Sequence, residues 1–500
     1  MKLEDMTQQE KAFWNLLPEE LQQISTVTMS YQNYWAIINK HLRTIYGDRV
    51  EWKKCISAYQ KSHIVRKCDD MPLVTTDEIR NMLAKDEKDR VTSAKLVEML
   101  PLISSNDREA AGKATLEAAK LLGILPDSRE GLFTWIVNKE DMTEKEQMDL
   151  EQKIRQEKVL LNIIVKAMID SYVPGIQLTY PLIGTVMTQP KTKYYYCGEN
   201  AFYGQSRPST YRNMDSKLPF QVQKIVNQLR WDEGCGFFDH FDAVKRWGNS
   251  TVNYLALAQH YGLWTPMMDV TSDLLTALFF ACCKFGNDGK WHPLPKDDFE
   301  KEDSRVNVKK LGGDSRYAVI YRSPSEITDM KWAEENVKGE NIILPVGYQP
   351  FMRCKSQYAY MFMTLQEKYD MLVDPLFEKM RFRLDEDFCQ WVYEMSDSGN
   401  AIYPSDDIPD LSKYMTKINH SCHFSQSTFE ELIKMGNCTE DEKMQWKAIL
   451  KKYGFHIMQG NREYITANEL RKINKRYSIE RAFQLTKVTP VKRPQLIMGG

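Results

Sequence analysis

Ten residues from Leu274 to Cys283, LLTALFFACC, run without a charged side chain. A helix that is apolar nearly all round has no face to give to water, so it must be interior. Ten residues are too few to cross a bilayer, which makes this a core helix. It follows the stretch VNYLALAQHYGLWTPMMDVTSD without an intervening loop. Leu255, Ala258 and Tyr261 recur at helical spacing and Gly262 suits a left-handed cap, so Gln259 and His260 fall in the last turn of a helix. Pro266 lacks an N–H and drives Thr265 into an extended conformation, giving a short strand or arm that ends at Asp269. Thr271 is the expected N-cap, with Ser272 and Asp273 in the first turn, of a helix from Ser272 to Phe285 closed by Gly286. A buried helix start carrying Thr and Asp beside a His-bearing helix end suits the lip of a pocket for an anionic or sugar-bearing ligand. The same residues also fit an architectural role, with Asp269 and Thr271 as caps and His260 satisfying a buried carbonyl.

The bulk numbers narrow the classes. Five hundred residues exceed what one core usually organises, so two or three domains are expected. Lys and Arg number 67 against 68 Asp and Glu, which leaves no global field towards nucleic acid or an anionic membrane. The charged start MKLEDMTQQEKAFW has no secretory apolar core, so a cytoplasmic location and no membrane partner are expected. Ten cysteines without a CxxC read as reduced thiols. His420, Cys422, His423, Cys438 and His456 have no closed tetrahedral spacing, so no metal is expected. Walker, G-x-S-x-G and H-E-x-x-H signatures are missing, which argues against ATPase, α/β-hydrolase and zincin chemistry.

The fold class expected is α+β in three parts. Residues 1–172 read as a helical N-terminal domain, within which TSAKLVEMLPLISS onwards and GLFTWIVNK fit a winged-helix element. Lys113 and Lys120 share their helix with Glu109 and Glu117, so the nucleic-acid signal is weak. Residues 173–415 mix aromatic strands with helices around a mixed or antiparallel sheet, with a polar surface insertion at 286–316. Residues 416–500 read as a helical C-terminal extension with a loose tail.

AQHYGLWTPMMDVT (258–271) followed by ALFFA (277–281) resembles the signature of the FRG domain family. FYGQSRPSTYR (202–212), RCKSQYAYMF from Arg353, and YPSDDIPDL ending at Leu411 resemble its flanking elements, so the resemblance spans about 190–415. Two departures stand out: Tyr203 replaces the Arg of Phe-Arg-Gly, and Met267-Met-Asp-Val-Thr replaces Leu-Leu-Asp-Trp-Thr. A phenol cannot imitate a guanidinium fork, so Arg207 or Arg212 would have to compensate. The layout is similar to the split sheet of ADP-ribosyltransferases, which implies NAD as substrate and an oxocarbenium-like state at the ribose. By that resemblance Asp269, Tyr203 and Gln357 are the expected catalytic residues. Gly204, Gln205, Arg212, His260, Thr265, Thr271 and Arg353 are expected to bind the nucleotide. It implies a bacterial or phage conflict setting in which the flanking parts choose a protein target. The rival expectation is a sensing or protein-interaction module that keeps the pocket without turnover.

Overall fold

The computed structural model describes residues 67–121, 165, 177–180, 184–187, 194–325 (less 213, 215, 216, 249 and 287), 341–364, 369–404, 410–460 and 462–486. The chain divides into two units: residues 51–83 with 194–489, and residues 1–50 with 84–193 and 490–500. The C-terminal helices therefore share a unit with the central sheet.

In the first unit seven strands form one mixed sheet. They are β1 (Leu73–Val74), β2 (Tyr194–Glu199), β3 (Met267–Thr271), β4 (Tyr317–Pro324), β5 (Asn341–Pro345), β6 (Ala359–Thr364) and β7 (Glu378–Arg383). Their order is β1-β7-β4-β2-β3-β6-β5. Only β1 and β7 pair in parallel; the other junctions are antiparallel. The centre of the sheet is weakly joined. β2 and β3 share a single pair, Tyr196 with Thr271. β2 is laddered to β4 through six pairs and β3 to β6 through five. Beyond Thr271 the two halves thus part, with Cys197–Glu199 staying on β4 and Met267–Val270 on β6.

The apolar stretch forms α4 (Leu274–Cys282), following α1 (Thr76–Ile103), α2 (Phe220–Phe238) and α3 (Tyr254–His260) along the chain. Leu274, Ala277, Leu278, Phe279, Ala281 and Cys282 are fully buried. With Tyr196, Ile320, Phe382 and Phe388 they cover one sheet face, joined by Ile79 from the start of α1. Each Leu, Ile or Phe side chain among them contributes about 1.5–3 kcal/mol on burial. The helix lies directly on β2, because a Cβ at Gly198 would stand 1.8 Å from the Ala277 carbonyl oxygen. The other face is covered by Tyr369, Met371, Leu376 and Phe377, packed on Tyr195, Met268, Val270 and Tyr321.

The helices that follow include α5 (Met352–Ser356), α6 (Glu386–Met395) and α7 (Ser412–Asn419). The segment beyond 416 is built into this unit. Val222, Val226 and Leu229 of α2 pack on Phe424, Phe429, Leu450 and Phe455. Tyr477 stacks on Phe351 at 5.0 Å and its hydroxyl donates to the Pro350 carbonyl at 2.8 Å.

Two local expectations change. The N-cap of α4 is Asp273, whose carboxylate accepts from Thr276 N at 3.0 Å, and Thr271 ends the strand before it. The helix also stops at Cys282, since 283–285 is a strand paired with 291–293. A carboxylate two residues beyond the strand reaches the free N–H groups better than Thr271, whose hydroxyl donates to the Gln357 carbonyl and accepts from Asp273 N at 3.0 Å. The insertion at 286–316 is partly core, because Leu294, Phe299 and Val308 are buried.

In the second unit the later turns of α1 meet the helix Arg108–Leu121 through Leu96, Ile103, Ala114, Ala118 and Ala119, with Val165. A hairpin pairs Gln177–Tyr180 with Gly184–Met187. The GLFTWIVNK part of the winged-helix expectation lies outside the described residues. Among the described residues no helix is long and apolar enough to cross a membrane.

Candidate functional site

The end of α3 and the start of β3 are joined by a turn that leaves no freedom to Gln259 or Asp269. Gly262 takes a φ of +97°, which lets the chain reverse after the last helical turn. Thr265 is then fixed by its backbone: its N–H donates to Ser209 Oγ at 3.0 Å and its carbonyl accepts from Thr210 N at 3.2 Å. Its hydroxyl donates to Gln259 Oε1, and Gln259 Nε2 donates to Asp269 Oδ1. Asp269 sits exposed on β3 between the buried Met268 and Val270. A carboxylate is thus displayed at the strand edge where β2 departs, held by an amide that is itself held.

His260 lies behind it. The ring is buried, with 7% of the residue exposed, and Nδ1 is 2.7 Å from Gln357 Oε1. A carboxamide oxygen accepts, so this contact places the proton on Nδ1 and leaves Nε2 as the acceptor. Burial lowers the imidazole pKa, the Asp269 charge and the Gln357 contact oppose that, and the nearby Arg353 adds to it. The ring is held as the neutral base. Gln357 caps α5 just before Tyr358, which has a φ of +47°. Thr271 Oγ donates to the Gln357 carbonyl at 2.7 Å, which ties the strand to that turn.

Arg353, expected at a phosphate, is committed inside the protein. Its guanidinium lies between the rings of Tyr261 and Tyr403, 4.1 and 3.9 Å from their centroids. Nη1 donates to the His260 carbonyl, Tyr403 Oη and Ser412 Oγ, and Nη2 donates to Asp410 at 2.9 Å. The residue is 6% exposed. A guanidinium stacked between two rings and bonded through both terminal nitrogens is an anchor for the chain around it.

On the β2 side, the buried carboxyl of Glu199 accepts from Ser206 Oγ at 2.8 Å and from Tyr321 Oη at 3.0 Å. Burial raises its pKa, opposed chiefly by the charge of Arg212. Burial also pushes the Cys197 thiol well up, with Glu199 and Asp269 adding to it and Arg212 opposing. These charges therefore act on one locality, where the halves of the sheet part. Arg212 is exposed at the end of the short helix Ser209–Arg212. Its N–H donates to the Pro208 carbonyl at 3.1 Å, and among the described residues no hydrogen bond or ion pair engages its guanidinium.

Among the described residues no hydrogen bond joins Tyr203 to Asp269, although the charges of Glu199 and Arg212 act on its hydroxyl. Its hydroxyl donates to Asn200 Oδ1 at 2.7 Å, and Arg305 Nη1 donates to the same oxygen at 2.9 Å. Gly204 has a φ of +74°, and a Cβ there would stand 2.5 Å from the Leu311 carbonyl. Gln205 is half-buried beside it. Asp269 and Thr265 are thus bonded through Gln259, and His260 and Thr271 through Gln357, with Arg353 holding the His260 carbonyl. Among the described residues no side-chain hydrogen bond links Tyr203, Gly204 or Gln205 to those groups. Sequence reading missed the relay role of Gln259, although its place in AQHYG one turn before Thr265 was a usable signal. It also missed Glu199, which as a single carboxylate in an aromatic strand gave little. Among the described residues no group of three side chains could hold a metal ion.

The FRG domain family matches residues 194–289, which takes in β2, α2, α3, β3 and α4 but not Arg353 or Gln357. No curated protein and no solved structure matches the chain.

Proposed function

We propose, from the FRG domain at 194–289, that the protein binds a ribosyl nucleotide of the NAD type where β2 and β3 part and cleaves its N-glycosidic bond. One observation carries the reading: the exposed Asp269 carboxylate, fixed through Gln259 and Thr265 at the strand edge that the split leaves unpaired. Cleavage of a nicotinamide–ribose bond builds positive charge on the sugar, and a preorganised carboxylate stabilises that charge without reorganising. His260 is held neutral beside it, with Nε2 able to take a proton from an acceptor hydroxyl or water. Tyr203 cannot supply a phosphate clamp, and the exposed Arg212 is the cation available for one. In a conflict system such an activity would deplete NAD or modify a partner, with the flanking segments selecting the target.

The test is nicotinamide release from NAD by the purified chain, read with binding calorimetry. Asp269→Asn is expected to lower kcat by about 100-fold with little change in Kd, the scale of losing one preorganised electrostatic group. Arg212→Ala is expected to raise KM. Neither release nor binding of NAD by the unmodified protein would sink the proposal. Binding without release would select a second reading, a nucleotide sensor. That reading is favoured by Gln357, whose neutral amide is already bonded to His260.

A further inference from the structure

Asn419 closes α7, 157 residues along the chain from the turn that presents Thr265, and lies outside the family-matched segment. It is 3% exposed. Its Nδ2 donates to the Gly262 carbonyl at 2.8 Å and its Oδ1 accepts from Trp264 N at 2.9 Å. One side chain therefore spans the turn and satisfies a donor and an acceptor that the turn leaves over. The remaining groups are held from the family-matched segment. Trp231 Nε1 donates to the Trp264 carbonyl at 2.7 Å, and Ser209 and Thr210 take the Thr265 backbone. Asn419 is itself seated rigidly, with Tyr414 of the same helix packed on Phe237 at 5.0 Å and Ser412 Oγ bonded to Arg353. The Trp264 ring lies edge-on to His420, 5.0 Å away, which braces the turn from the same helix end.

We propose that Asn419 is a positioning residue for the Asp269 carboxylate, acting through Trp264, Thr265 and Gln259. The last two steps of the path, Thr265 to Gln259 and Gln259 to Asp269, are single hydrogen bonds, so a slackened turn turns the Thr265 hydroxyl away from Gln259 and lets the Gln259 amide leave Asp269. Removing a bidentate partner from a buried turn leaves both a donor and an acceptor unsatisfied, which favours other turn geometries. The chemistry at issue rests on the nucleotide-cleaving reading above; the mechanical coupling does not.

The experiment uses the full chain with Asn419→Ala and Asn419→Asp, the latter keeping the acceptor for Trp264 N in case the first fails to fold. Hydrogen exchange is followed by mass spectrometry over residues 258–270, with the α4 segment 274–282 as the internal reference. Faster exchange confined to 258–270 is expected in both variants. NAD cleavage is expected to fall about tenfold in kcat with KM within about twofold, the pattern of a group acting only in the transition state. Adding Asn419→Ala to Thr265→Val is expected to cost nothing further, since both act on one line. The proposal is overturned by unchanged exchange at 258–270, by exchange that rises equally across 274–282, or by full additivity with Thr265→Val. If the unmodified protein releases no nicotinamide, the glycosidase reading fails, and the exchange comparison alone decides for or against Asn419.

Discussion

A histidine that must stay neutral makes the site sensitive to acid. Burial lowers the His260 pKa from its ordinary 6.5, so folding favours the unprotonated ring. That contribution is complete above the ordinary value and is lost as pH falls through the lowered one. Between pH 7.5 and 5, the urea midpoint of the unmodified protein should drop more than that of His260→Gln; parallel curves would refute the assignment. Arg353 sets the second residue-level expectation. Lysine cannot stack between two rings and serve four acceptors at once, so Arg353→Lys should cost about 3 kcal/mol in urea unfolding, the scale of breaking a buried charged network. An unchanged midpoint would show that the sandwich contributes little.

At the level of elements, the site depends on how α4 meets the split sheet. The helix start is fixed by Asp273, whose Oδ2 takes both Thr276 N and Thr276 Oγ. Asp273→Ala should lower stability by about 1–2 kcal/mol, as for other lost N-caps, measured by thermal melting. Thr271→Val tests the competing assignment: it should leave the helix intact and loosen the Gln357 turn, since its hydroxyl bonds the Gln357 carbonyl. The close approach of α4 to β2 allows no side chain at 198. Gly198→Ala should destabilise by about 3 kcal/mol or disrupt the fold, because the obstacle is backbone and cannot swing aside. Normal stability in that variant would mean that α4 sits further from β2 than the structure places it.

For the whole molecule, the first unit draws on segments from far along the chain. Met71 and Ile79, from before the sheet's main strands, join the clusters on its two faces, and Tyr477, from well after them, stacks on Phe351 at the start of α5. A fragment ending at residue 404 would lose Asp410, Ser412, Asn419 and the Tyr477 stack. It should lack the near-ultraviolet circular dichroism of a packed core and unfold without a cooperative transition, because too much apolar surface is left uncovered. A cooperative melt from that fragment would show that the later helices are an appendage.

Much of the site was legible in the chain. The buried helix, the extended arm after Pro266 and the helix end carrying Gln259 and His260 follow from periodicity, from proline's missing donor and from glycine's freedom, all of them local effects. The family resemblance also came from local motifs, and it is matched over 194–289. What sequence could not decide was where side chains with several uses spend their hydrogen bonds. Thr271 could have capped a helix and instead bonds a distant carbonyl, and Arg353 could have met a phosphate and is enclosed by Tyr261, Tyr403 and Asp410. Those choices depend on partners brought close in space from about 60 to 90 positions away. No spacing along the chain encodes them, because a hydrogen bond is won by whichever partner the packed core brings within 3 Å.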